Sequence, residues 1–318
     1  MEIAEEELPE EIARLVQRAT AMNFSATLAQ TDKALRVRIG RVNEALMRVG
    51  FKMIVFPSAS AAQALDYKLY LYPETERPTR PRYLNVGAGR WSHPFWHNLD
   101  NPSDHYAPMQ TAEFISVDLL TKPRLPIEGG TLAAIYSSHV VEHLTDEADA
   151  SLFAEAYRAL ESGGIFRITC PDHGMLLDAY RRGDFVMTDA QPHLRLAPEH
   201  HIVSFIATEL ILAKLGDEEA GPHAPAPEEV RRILLDLPEA EALDHFTHQC
   251  NPDRNSLEPG WHRNWMSVPK LTRMLREAGF EDVYESRPQQ SRSPYMRHPR
   301  LFDVAGPNIS LYIEARKA

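Results

Sequence analysis

Gly87-Ala88-Gly89 stands directly after the apolar run Tyr83-Leu84-Asn85-Val86. A strand that stops on Gly-x-Gly leaves backbone amides uncovered and lets a ligand approach the main chain. In an open α/β sheet, nucleotide-like cofactors lie just past the carboxyl end of the first strand; the same pattern also makes a tight strand-to-loop turn. Asp100 and Asp118 each close a predicted strand, 96–100 and 114–118. A carboxylate placed there can accept both hydrogen bonds of a ribose diol, or it can cap a helix or turn. His139-Val-Val-Glu-His143 fits H-x-x-E-H, a pattern that can put two histidines on one helix face around a zinc ion. No third ligand is evident in the sequence, and the stretch follows a strand edge, so no metal is expected. His139 is also the candidate general base, since an imidazole titrates near neutrality. His193, His200, His201, His245 and His248 are read either as surface or capping residues or as part of an acceptor pocket.

The elements that must position these residues begin at Arg82. Strands are expected over 83–86, 96–100, 114–118, 132–137 and 165–170, the last stopped by Pro171. A helix is expected over 147–161, stopped by Gly163-Gly164. Strands alternating with helices or long connections indicate a doubly wound, mainly parallel sheet. Only thirteen residues separate Gly87 from Asp100, against about twenty in a dinucleotide-binding unit. The first helix must therefore be short or absent, and 91–96 is read as a loop over the cofactor. There is no third glycine after Gly89, which argues against a nicotinamide cofactor. Residues 173–260 lack strand periodicity and read as a partly helical insertion that covers the ligand edge as a lid. A helix over 271–278, stopped by Gly279, and strands over 280–285 and 310–314 complete the domain, 79–318. Residues 1–78 form a separate helical segment. Leu35, Ile39, Val42, Leu46 and Val49 make a short apolar seam within a helix expected over about 26–49, which serves packing or a homodimer through residues 1–50.

The chain has 318 residues, 43% of them hydrophobic and 25% charged, with a formal net charge of −11. That balance fits a globular protein and argues against nucleic acid or an anionic membrane as the main partner. Two cysteines, Cys170 and Cys250, imply no disulfide framework. The acidic start, Met1 to Glu7, lacks a signal-peptide pattern, and no apolar run reaches membrane-spanning length. A cytoplasmic location is expected.

Taken in order, Leu84-Asn-Val-Gly-Ala-Gly89, Asn98-Leu-Asp100, Asp118-Leu119, Ile135-Tyr-Ser-Ser-His-Val-Val-Glu-His-Leu144, Leu160-Glu-Ser-Gly-Gly164 and Ile168-Thr-Cys-Pro-Asp172 resemble the class I S-adenosylmethionine-dependent methyltransferases. The likeness is greatest to a poorly characterised branch with a short first connection. It implies a Rossmann-like α/β fold with a mainly parallel seven-stranded sheet, and S-adenosylmethionine as cofactor. It also implies that Gly87, Ala88 and Gly89 lie against the methionine part, that Asp100 binds the ribose hydroxyls, and that Asp118 and Leu119 meet the adenine. Ser137, Ser138 and His139 would line the path from sulfonium to acceptor. The sequence departs from the family at Asn85, where many members carry aspartate. The tetrapeptide of DNA amino-methyltransferases is absent, so the expected acceptor is a small polar molecule methylated on oxygen or nitrogen. A non-catalytic S-adenosylmethionine-binding scaffold and a nucleotide-sugar or nicotinamide enzyme are the other readings.

Overall fold

The structure is a computed structural model that describes residues 82–91, 93, 95–104, 107, 113–121, 123–184, 196–212, 224–251, 254, 258–298 and 301–318. All belong to the second of two compact units of the chain, Tyr67–Ala318. The expected helices and apolar seam of residues 1–78, with the homodimer read from 1–50, lie outside the described residues.

Seven strands form one sheet: β1 Tyr83–Val86, β2 His97–Asp100, β3 Ile115–Ser116, β4 Leu132–Ser138, β5 Leu160–Pro171, β6 Asp282–Glu285 and β7 Ser310–Arg316. Their order is β3-β2-β1-β4-β5-β7-β6. The first five are mutually parallel, and β7 runs antiparallel between β5 and β6. This is the mainly parallel seven-stranded α/β sheet expected. Between β1 and β2 no helix occurs among the described residues, as the short spacing required.

Alternation along the strands sends residues to opposite faces. Leu84, Val86, Ile135, Phe166, Ile168 and Ile313 enter one core with residues of α1 (Asp146–Ala159) and α7 (Val268–Glu277). Tyr83, Ala134, Tyr136 and Ile165 face an aromatic layer built from Phe95, Trp96, Met296 and Phe302. Trp91 and Trp96 therefore do not form a loop over a cofactor. Trp91 donates from Nε1 to the Leu301 carbonyl at 2.7 Å, and both rings pack on Phe302. Packing both rings on this layer, with Trp96 buried and Trp91 partly so, outweighs leaving them on a solvent-facing flap.

Several boundaries differ from expectation. β3 keeps only two residues, and Asp118 lies beyond it. Helix α1 begins with Thr145 accepting from the Ala148 amide, as a cap should. It ends at Ala159, with Leu160 already extended and leading into β5. Gly163 and Gly164 thus serve the strand rather than the helix stop. Gly163, at φ +80°, donates to the Lys317 carbonyl, and a Cβ on Gly164 would meet the Glu161 and Leu132 carbonyl oxygens at 2.9 Å.

The insertion after β5 forms α2 (His173–Arg181), α3 (Pro198–Ile206), α4 (Thr208–Leu212), α5 (Pro227–Asp236) and α6 (Glu239–Thr247). Leu177, Ile202, Val203, Ile206, Leu210, Val230, Ile233, Leu243, Phe246 and Trp265 give it a hydrophobic core of its own. No described helix is long and apolar enough to cross a membrane.

Candidate active site

In the order β3-β2-β1-β4-β5, the direction in which successive strands are laid down reverses between β1 and β4. Beyond the carboxyl ends of such a pair lies the crevice where open α/β sheets bind ligands. A cavity of about 110 Å³ opens there, lined by Gly87 and Gly89 after β1, Asp100 and Asn101 at the end of β2, Leu119 and Leu120 after β3, and His139, Val140, His143 and Leu144 after β4. Pro259, from the segment returning out of the insertion, closes one side.

Gly87 is required twice over. Its φ is +71°, and a Cβ would stand 2.1 Å from Val140 Cγ2. Its amide donates to the Leu99 carbonyl at 2.8 Å. Gly87→Ala should cost about 2 kcal/mol of stability, combining the left-handed backbone with overpacking. Adding Val140→Ala should recover the packing part and leave the backbone part. Chemical denaturation of the single and double variants measures both. Gly89, at φ +52°, has open space where a Cβ would be, so its backbone faces the cavity.

Asp100 is buried, and its carboxylate is set by the turn. Oδ2 accepts from the Gly89 amide and Oδ1 from the Asn101 amide, both at 2.8 Å. Each oxygen keeps a lone pair for a further donor. Asp118 is exposed and folds onto its own turn, accepting from the Leu120 amide at 2.9 Å and from Thr121 Oγ1 at 2.8 Å. Its neighbour Leu119 is buried at the cavity wall. Ala88 is buried behind the two glycines and is not among the lining residues. Ser137 lies buried within β4 and Ser138 at its end, both off the cavity wall.

His139 has φ +54°, rare for a non-glycine residue. Its Nδ1 lies 3.1 Å from Glu142 Oε1, and its Nε2 lies 3.0 Å from Ser310 Oγ and 3.2 Å from the Ala305 carbonyl. Burial alone would lower its pKa; Glu142 and the Ala305 carbonyl outweigh burial and raise it. Glu142 is fully buried, and burial alone would raise its pKa; the surrounding His139, His143 and His262 outweigh that and hold it at about 2.

H-x-x-E-H does not put its two histidines on one helix face. Only Val141–His143 is helical, as a single 3-10 turn, and the two histidines flank Glu142. His262, whose ring packs among His143, His173 and Phe205, completes a group that the sequence did not reveal. Asn101, Leu120, Val140, His143, Leu144 and Pro259 were also not foreseen as lining residues. The first five lie within or next to the motifs already singled out, whereas nothing in the sequence marked Pro259. The insertion's described histidines do not reach the cavity. His200 Nε2 lies 2.9 Å from the Pro225 carbonyl, His201 is buried, and His245 and His248 are exposed. Glu199 is likewise held within the insertion, by the Tyr180 hydroxyl and by Arg231.

No protein-family model and no curated protein matches the sequence. Among solved structures, the chain is similar to an S-adenosylmethionine-dependent methyltransferase from Mesorhizobium loti, at 17% identity and TM-score 0.37, covering 82% of this chain and 99% of that one. It is similar to a methyltransferase of the same cofactor class from Archaeoglobus fulgidus, at 13% identity and TM-score 0.34, covering 80% and 94%. It is also similar to the methyltransferase SibL, at 16% identity and TM-score 0.33, covering 81% of this chain but 56% of that one. At such scores, the reading of the site rests on its own geometry.

Proposed function

We propose that the chain binds S-adenosylmethionine in the cavity at the ends of β1, β2 and β4 and transfers its methyl group to the oxygen or nitrogen of a small polar acceptor. The observation that carries this is the meeting of the Gly87–Gly89 turn with the Asp100 carboxylate at the sheet's reversal point. The residues fit such a cofactor. Gly89 leaves open space where a side chain would stand, Asp100 retains lone pairs for two ribose hydroxyls, and Leu119 and Leu120 offer an apolar wall to a purine. The bound cofactor would supply an already activated methyl group, so the protein's task is to orient the acceptor and exclude water. Pro259 and the insertion that leads to it would supply the covering side. His139 borders the path after β4. With Nε2 against a carbonyl and Nδ1 against a carboxylate, both ring protons are engaged, so in this arrangement it shapes the wall after β4 rather than accepting a proton. A base role would require it to leave Glu142.

Isothermal calorimetry with S-adenosylhomocysteine should show one site on the order of micromolar, about −8 kcal/mol. Tight binding of a nicotinamide dinucleotide, with none of S-adenosylmethionine or S-adenosylhomocysteine, would refute the reading. Mass spectrometry of small molecules that co-purify with the protein is the most direct route to the acceptor.

A further inference from the structure

We propose that Glu142, His143 and His262 form a binding site for one divalent transition-metal ion of the zinc type at the edge of the cavity. One carboxylate oxygen and one ring nitrogen from each histidine lie within 4.8 Å of one another. A tetrahedral ion with bonds of about 2.1 Å needs its ligand atoms about 3.4 Å apart, so side-chain rotations of about an ångström close the set. Two imidazoles and a carboxylate suit zinc and its first-row neighbours better than magnesium or calcium, which favour oxygen ligands.

The group is braced as a ligand set should be. The Arg263 and Asn264 amides both donate to the Glu142 carbonyl, at 2.9 and 3.1 Å, and tie the segment bearing His262 to the turn bearing Glu142 and His143. His262 Nδ1 lies 2.7 Å from the Phe205 carbonyl. A carbonyl only accepts, so Nδ1 carries the proton and the neutral ring keeps its lone pair on Nε2. His143 Nδ1 likewise meets the Trp261 carbonyl at 3.2 Å, while its Nε2 lies 3.9 Å from Glu142 Oε1.

Independent support comes from Glu142 itself. Its side chain is fully buried; Oε1 faces His139 Nδ1 at 3.1 Å, and Oε2 accepts no hydrogen bond from the described residues. Burying a carboxylate without hydrogen bonds is costly unless a cation compensates it. The nearest cation candidate, His139 Nδ1 at 3.1 Å, meets only Oε1. A metal ion held with His143 and His262 would add the compensating cation, and both of these residues retain partial exposure as an entry path. The site needs no cofactor, so it stands or falls apart from the methyl-transfer reading.

The test uses the untagged full chain, stripped with EDTA and titrated with zinc chloride without S-adenosylhomocysteine. Calorimetry should give one ion per chain. Cobalt chloride added instead should give the intense visible bands of a four-coordinate centre. His262→Ala and Glu142→Gln should each weaken zinc binding by about tenfold or more, while exposed His245→Ala should not. Circular dichroism checks that each variant folds, and His262→Gln replaces His262→Ala if that variant does not. Absence of stoichiometric zinc binding by the wild-type chain would overturn the proposal, as would unchanged affinity in folded Glu142 and His262 variants.

Discussion

Arg167→Ala is expected to cost the fold about 3–5 kcal/mol, the penalty for breaking a buried ion pair by removing one partner. Arg167 sits in β5 with a fully buried side chain. Its Nε and Nη2 donate to the two oxygens of Asp303, at 3.0 and 2.7 Å. Nη1 donates to Glu314 at 2.7 Å and to Ser286 at 3.1 Å, and Nη2 also donates to the Arg287 carbonyl at 2.9 Å. One guanidinium therefore binds β5 to β7 and to the loop that carries the aromatic layer over the sheet's second face. Without it, Asp303 and Glu314 are two buried carboxylates without their cation. The Gln289 and Arg292 amides and the Tyr284 hydroxyl still donate to them, which softens the loss without neutralising either charge. Urea denaturation measures the effect. Adding Asp303→Ala should cost much less than its single-variant loss, because the stranded charge is gone. A loss below about 1 kcal/mol in Arg167→Ala would mean that the network contributes almost nothing.

That network also shows where the sequence falls silent. Ile165-Phe-Arg-Ile-Thr-Cys170 reads as a buried strand, and the structure makes it one, yet nothing local says that its arginine points inward. The partners are 119 to 147 residues away, and periodicity carries no information at that range. The parallel core was legible for the opposite reason. Strands buried on both faces are near-continuous apolar runs, and Gly87-x-Gly89 and Asp100 mark their carboxyl ends. The strands failed where apolar length was marginal, so 114–118 shrank to Ile115–Ser116. Trp91 and Trp96 were misplaced because spacing says how long a loop is, not which face takes its aromatic rings. Nothing in the sequence joins His262 to H-x-x-E-H, since only the folded return of the insertion brings residue 262 beside residue 142.

Asp100→Ala is expected to weaken S-adenosylhomocysteine binding by about 2–4 kcal/mol, the worth of a pair of hydrogen bonds to a charged acceptor. In equilibrium terms this is a loss of roughly thirtyfold to a thousandfold. The carboxylate is already oriented before any ligand arrives, with one lone pair of each oxygen engaged by the Gly89 and Asn101 amides. A ribose diol would therefore meet an acceptor pair that needs no reordering, which is where preorganisation favours affinity. The same two bonds mean that alanine also loosens the Gly89 turn, so part of the loss would come from the loop. Asp100→Asn separates the two contributions. An asparagine can still accept from the Gly89 amide through its carbonyl oxygen, but it has lost the charge and one acceptor. If the diol contact dominates, asparagine should lose nearly as much affinity as alanine. If the Gly89 turn dominates, asparagine should bind clearly better than alanine, short of wild type because its NH2 cannot accept from the Asn101 amide. Calorimetry with S-adenosylhomocysteine reads both variants, with circular dichroism confirming the fold. Wild-type affinity in a folded Asp100→Ala would reduce this carboxylate to a turn residue and remove the ribose contact from the proposed site.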